Sequence, residues 1–197
     1  MGQGCSSLRE AVIFKQKLIA RLDQVCTENK VFKIHLVGNL YLIMGYNGKL
    51  LKNKNNARLA ALIEETQRVI KTAMQMIDVI DDIKSKMSSV SHVQNLNLRA
   101  GIHTGPVIAG IIGAKVVRYD IFGSGVMVTE KVEQASIPGK VCISQDTYRI
   151  LHEDPTIASQ YSYQEYEQIY IESQKRKLNS FIIERKENTI NQVVDTE

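Results

Sequence analysis

Residues 98–123 read LRAGIHTGPVIAGIIGAKVVRYDIFG, and the order of turns and apolar runs within them sets the architecture of the chain. From Leu98 to Thr104 apolar and polar residues alternate as on a half-buried strand. Gly105-Pro106 is a turn pair, and Val107 to Ile112 is a short apolar strand closed by Gly113. The expectation is a β-hairpin across Gly105-Pro106. Asp120 follows at the end of a further short segment, just before Gly123 and Gly125, where missing side chains let a ligand approach the backbone. From spacing alone the favoured reading of the same glycines is that they only start a helix over 126–135, with Ser124 as a candidate cap.

Outward from this stretch the coarse elements follow. Apolar spacing predicts a helix over 10–28, then strands over 31–37 and 40–45 that turn at Gly38-Asn39. A long helix over 57–87 carries Leu59, Ile63, Ile70, Met74, Ile77, Ile80 and Ile83 at helical spacing, so its methionines read as core filling. Downstream, a strand over 140–143, a short helix ending near His152, and strands around 163–171 and 180–184 complete the chain.

A chain of 197 residues with 44% hydrophobic content buries one sizeable core, and no linker divides it. One domain over 10–186 is expected, preceded by a segment over 1–9 and followed by the polar tail ENTINQVVDTE over 187–197. No run reaches the ~20 apolar residues that span a bilayer, and no secretory signal opens the chain, so an intracellular, cytoplasmic protein is expected. Cys5, Cys26 and Cys142 lack metal-ligand spacing, and Cys26 and Cys142 read as reduced core residues. Net charge is +4, with local concentrations at Lys49 to Lys54 and Lys175 to Lys177. The first reads as a solvated loop, and no nucleic-acid partner is expected.

RAGIHTGPVIAGIIG followed by YDIFG resembles the core of class III nucleotide cyclases, the catalytic domains of adenylyl and guanylyl cyclases. LIARLDQVCTENKVFKIHLVGNLYLIMG resembles the first helix and following hairpin of that family, and KVCISQDTYRIL its next strand and helix. The resemblance covers about Glu10 to Arg185. It implies an α+β, ferredoxin-like cyclase homology domain, an antiparallel sheet with helices packed on it.

In the family, the 3′-hydroxyl of a nucleoside triphosphate attacks its own α-phosphate and releases pyrophosphate. Two aspartates hold two divalent metals, and the site lies between two domains packed head to tail. The resemblance places the hairpin metal aspartate at Asn39, whose neutral amide is a poor magnesium ligand. The other aspartate belongs to an apolar-Asp-Ile-x-Gly-Phe strand before the first helix, where this chain has only MGQGCSSLR. Magnesium or manganese is therefore expected only where a partner supplies the carboxylates. Lys33 and Asp120 fall on the adenine-reading pair, which implies ATP over GTP; an ion pair between them across adjacent strands is the structural alternative. The ribose-orienting asparagine falls at Met127 and the transition-state arginine at Lys131, which keeps the charge but loses the planar fork. Losing one oriented donor to developing charge costs about 3 kcal/mol. The phosphate-contacting lysine falls nearest Gln174 or Lys175, with a plain hairpin loop as the alternative. His103 reads as a strand residue without a catalytic duty.

Two expectations result: a non-catalytic pseudocyclase that dimerises or scaffolds and binds ATP, or the metal-free half of a heterodimeric adenylyl cyclase. Either needs a second cyclase-type domain. Separately, Met-Gly-Gln-Gly-Cys-Ser fits an N-myristoylation pattern, with Gly2 as acceptor and Cys5 available for palmitoylation, which together would tether the chain to a membrane surface. The competing reading is a truncated start that leaves out a central strand and exposes the edges beside it. Mass spectrometry of the native protein separates the two.

Overall fold

The computed structural model describes residues 3–46, 56–87, 93 and 95–186. Helix α1 (Gln3–Glu28) leads into the hairpin β1 (Phe32–Val37) and β2 (Leu40–Met44), and α2 (Asn56–Lys86) carries the chain to β3 (Ala100–Ile102). A second hairpin, β4 (Ile108–Ile112) and β5 (Arg118–Phe122), runs into α3 (Ser124–Ala135). Then follow β6 (Val141–Ser144), α4 (Gln145–His152), the single turn α5 (Pro155–Ala158), and the long hairpin β7 (Tyr161–Ile171) and β8 (Arg176–Arg185).

The strands form a central four-stranded sheet, order β3-β6-β8-β7, and two separate hairpins. Period-two alternation splits the central sheet's side chains between two helical layers. Val141, Ile143 and Ile183 pack with Ile70, Ala73 and Ile77 of α2 and Leu151 of α4. Their neighbours Cys142 and Ile182 pack with Val128 and Val132 of α3. A third cluster joins Leu22, Val25 and Cys26 of α1 to Met76 of α2, with Tyr41 and Ile43 of β2 against it. Cys26 and Cys142 are free and buried, as expected. Most of the apolar stripe on α2 is buried too, although Leu59 in its first turn is exposed.

Four expectations are corrected. Thr104 and Val107 do not bracket a hairpin: β3 pairs in parallel with β6, and β4 pairs with β5. Gly105 does not adopt the positive φ at which a two-residue hairpin turn begins, and Pro106 can neither adopt a positive φ nor donate to a ladder. Ser124 does not cap α3; Gly123 does, at φ 120, with no side-chain hydrogen bond. The close approach at Gly125 is made by the chain itself, since a β-carbon there would lie 2.7 Å from the Pro106 carbonyl oxygen. Finally, α1 starts at Gln3 rather than near residue 10, because no proline interrupts the residues before it. The expected edges are present: β2 bonds only to β1, and β3 only to β6, among the described residues.

Candidate nucleotide site

Asp120 is the best-defined polar residue of the site. It sits on β5 opposite Gly110 of β4 and is 4% exposed. Its Oδ1 accepts from its neighbour's backbone, Ile121 N, at 2.9 Å, and lies 3.2 Å from His35 Nδ1. Arg118 Nη2 is 3.1 Å from Oδ2. Burial pushes the carboxyl's pKa up, but the Ile121 amide, His35 and Arg118 together outweigh it and hold Asp120 below the ordinary carboxylate value. Because the folded pKa lies under the unfolded one, Asp120 stabilises the fold above about pH 4. That contribution fades as the pH falls through the folded pKa. The substitution Asp120→Asn is therefore expected to flatten the loss of stability between pH 6 and pH 3, read as the denaturation midpoint of both proteins across that range.

Lys33 is not brought to Asp120. Its ammonium lies 2.7 Å from Asp23 Oδ1 on α1 and 5.1 Å from the centre of the Tyr41 ring, and Tyr41 donates its hydroxyl to Asp23. Burial opposes ionisation of Asp23, yet the Lys33 and Tyr41 hydrogen bonds lower its pKa. The cross-strand ion pair between Lys33 and Asp120 is thus replaced by His35 with Asp120. His35 escaped the sequence reading because period two puts residues 33 and 35 on one face. A register shift between them, with Lys33 opposite Ile43 and His35 opposite Leu42, inserts an extra residue and turns them apart. Only the polar residue two positions after Lys33 offered a signal.

Asn39 ends the β1–β2 turn, and the Lys15 ammonium lies 3.4 Å from its Oδ1 and 3.1 Å from the Gly38 carbonyl oxygen. A resident cation side chain on a neutral amide does not fit a divalent metal. Among the described residues no group of three histidine, cysteine or acidic side chains is placed to hold one. Met127 is 52% exposed near the start of α3, and Lys131, one turn on, is exposed and makes no ion pair among the described residues. Phe122, Met127, Ser173 and Gln174 line an open cavity of ≈ 410 Å³. Lys175 follows at φ 47 in the β7–β8 turn and is not among the residues lining that cavity; Arg176 turns back to Asp146 Oδ2 at 2.8 Å. His103 lies beyond β3 with its side chain buried and Nδ1 2.9 Å from Ser144 Oγ, and burial lowers its pKa.

Gly2 and the 49–54 lysines lie outside the described residues. The backbone of Cys5 belongs to α1. No helix among the described residues is long and apolar enough to cross a membrane.

The chain is 32% identical over 151 residues to the guanylate cyclase soluble subunit alpha-1 of Canis lupus familiaris, covering 77% of this chain and 19% of that protein. It is 27% identical over 184 residues to the soluble guanylate cyclase gcy-31 of Caenorhabditis elegans, covering 92% of this chain and 24% of the relative. The chain therefore spans about a quarter or less of the length of these relatives. Its fold matches the guanylate cyclase domain of RhGC from Catenaria anguillulae in complex with GTP, with a TM-score of 0.65 at 21% identity over 87% of this chain and 82% of that one. It also matches the adenylyl cyclase CyaB from P. aeruginosa, with a TM-score of 0.68 at 14% identity over 89% and 83%. The sequence profile of the adenylate and guanylate cyclase catalytic domain matches residues 6–185, nearly the whole described chain. With that match, the chain belongs to the class III adenylate and guanylate cyclase catalytic domain family.

Proposed function

We propose that this chain is a non-catalytic cyclase-type module that pairs with a second cyclase domain and holds an adenine nucleotide. The carrying observation is the β4–β5 hairpin. Ile108 and Ile111 are 74% and 75% exposed, and Tyr119 and Phe122 are exposed alongside them, on the same ladder that bears Asp120; Val117, just before β5, is exposed too. An apolar ribbon of this kind marks a protein interface. Asp120, an ionised acceptor beside the His35 ring, complements an adenine edge that offers an amino donor and a ring-nitrogen acceptor. Asn39 with Lys15, together with Met127, supports the absence of turnover. The amino-terminal pattern at Gly2 and Cys5 supports a lipid tether for the module.

Titration of the purified chain with ATP and GTP, with and without Mg²⁺ or Mn²⁺, tests this reading, with the same samples assayed for cAMP and cGMP. ATP is expected to bind without a metal requirement, at least about tenfold more tightly than GTP, and to yield no cyclic product. Metal-dependent product from the chain alone overturns the proposal.

Lys131 supports a second reading, the metal-free half of a heterodimeric adenylyl cyclase, because its exposed ammonium remains available to phosphates in a shared site. There, Mg²⁺ or Mn²⁺ would enter on the partner's carboxylates. On that reading, a metal-competent cyclase domain makes more cAMP with this chain than without it.

A further inference from the structure

The His35 ring has one nitrogen committed and one open. Nδ1 lies 3.2 Å from Asp120 Oδ1, while Nε2 makes no hydrogen bond or ion pair among the described residues, and the side chain is 25% exposed. An ionised carboxylate only accepts, so Nδ1 carries a proton while this bond holds. Nε2 is then a bare acceptor in the neutral ring and an N–H donor in the imidazolium. Asp120 adds no second change. Despite its burial, the Ile121 amide, His35 and Arg118 hold its carboxyl below the ordinary carboxylate value, so it stays charged around neutral pH. The charged groups facing the ring are Asp120 and Arg118 of β5, the latter 3.1 Å from Asp120 Oδ2. Lys33, on the same strand as His35, is turned to Asp23 of α1.

We propose that His35 is a specificity-determining residue of the nucleotide site: protonated it selects adenine, and neutral it gives that selection up to guanine. The inference rests on the reading of Asp120 and His35 as the base-contacting pair. Adenine presents ring nitrogen N1 as an acceptor on its pairing edge, whereas guanine presents N1–H as a donor. Against adenine, a neutral His35 sets two acceptors face to face, and against guanine it accepts. One proton on Nε2 reverses both contacts. A lysine ammonium beside Asp120 would donate across the whole range in which histidine titrates, and so would favour one base throughout. The register shift between Lys33 and His35 replaces that fixed donor with a switchable one.

Calorimetric titration of the full chain with ATP and with GTP, without metal, from about pH 5.5 to about pH 8 spans the range in which histidine titrates. The two ligands share one triphosphate, so its own protonation cancels in the ratio of their Kd values. The preference for ATP over GTP is expected to fall at least about tenfold from the acid to the alkaline end. Repeating the titrations in two buffers of different ionisation enthalpy counts protons, and ATP binding should take up more of them than GTP binding. His35→Gln, whose amide does not titrate, should hold one ratio at every pH. If that variant fails to fold, the proton count on the unmodified chain decides. Failure of both nucleotides to bind removes the nucleotide reading and this inference with it. Binding with a ratio flat in pH, equal proton counts for the two ligands, or an unchanged pH dependence in His35→Gln leaves the nucleotide reading standing and overturns the role of His35.

Discussion

Replacing Ile108 and Ile111 together with aspartate is expected to weaken association by at least about 100-fold, whether the partner is a second copy or a metal-competent cyclase domain. Both residues are about three-quarters exposed in the single chain, so any large further burial must come from a partner. Losing two apolar anchors and placing one carboxylate on each face of the ribbon removes about 3 kcal/mol or more of binding from a partner that covers it. The fold itself loses little. Aspartate is a poor strand residue, worth up to about 1 kcal/mol per site, so Tm should drop by only a few degrees. Sedimentation of the chain alone and of the mixture, beside thermal unfolding, separates the two effects. Unchanged association would remove the hairpin from the interface and take away the main support for the proposed pairing.

That ladder also shows where the sequence is informative. The Gly38-Asn39 turn and its flanking strands were readable because a hairpin is a local event in which turn residues and alternation lie within a few positions. Helix α2 was readable for the same reason, from its repeated isoleucines. The partner of β3 was not. Gly105-Pro106 announces that the chain turns but not what the preceding strand pairs with, and β3 found β6 about forty residues later. The site behaves likewise. Asp120 stood out as a lone acid before a glycine turn, whereas its companion was assigned to Lys33 because a bulge leaves no mark in a period-two pattern. A resemblance supplied the positions of Asn39, Met127 and Lys131, but the Lys15 ammonium on Asn39 comes from a helix 24 residues away and is visible only in the folded chain.

The glycines of the opening stretch make the same point energetically. Gly101→Ala is expected to destabilise the domain by about 3 kcal/mol, lowering Tm by roughly 10 °C. A β-carbon at Gly101 would lie 2.2 Å from the backbone nitrogen of Glu133 and 2.4 Å from its Cα, so α3 or β3 must move as a unit. No rotamer relieves the clash, because the obstacle is helix backbone anchored by Val128 and Val132, both fully buried. The salt bridge between Arg99 and Glu133, 2.6 Å long and spanning the same contact, would be strained with it. Gly110→Ala is the matched control. It adds the same methyl to a strand residue with nothing within 4 Å, and alanine is slightly the better strand former, so stability should hold or rise by about 0.5 kcal/mol. Thermal and urea unfolding of the two variants gives the comparison. Equal stability for both would mean that α3 does not rest on β3 at the distance described.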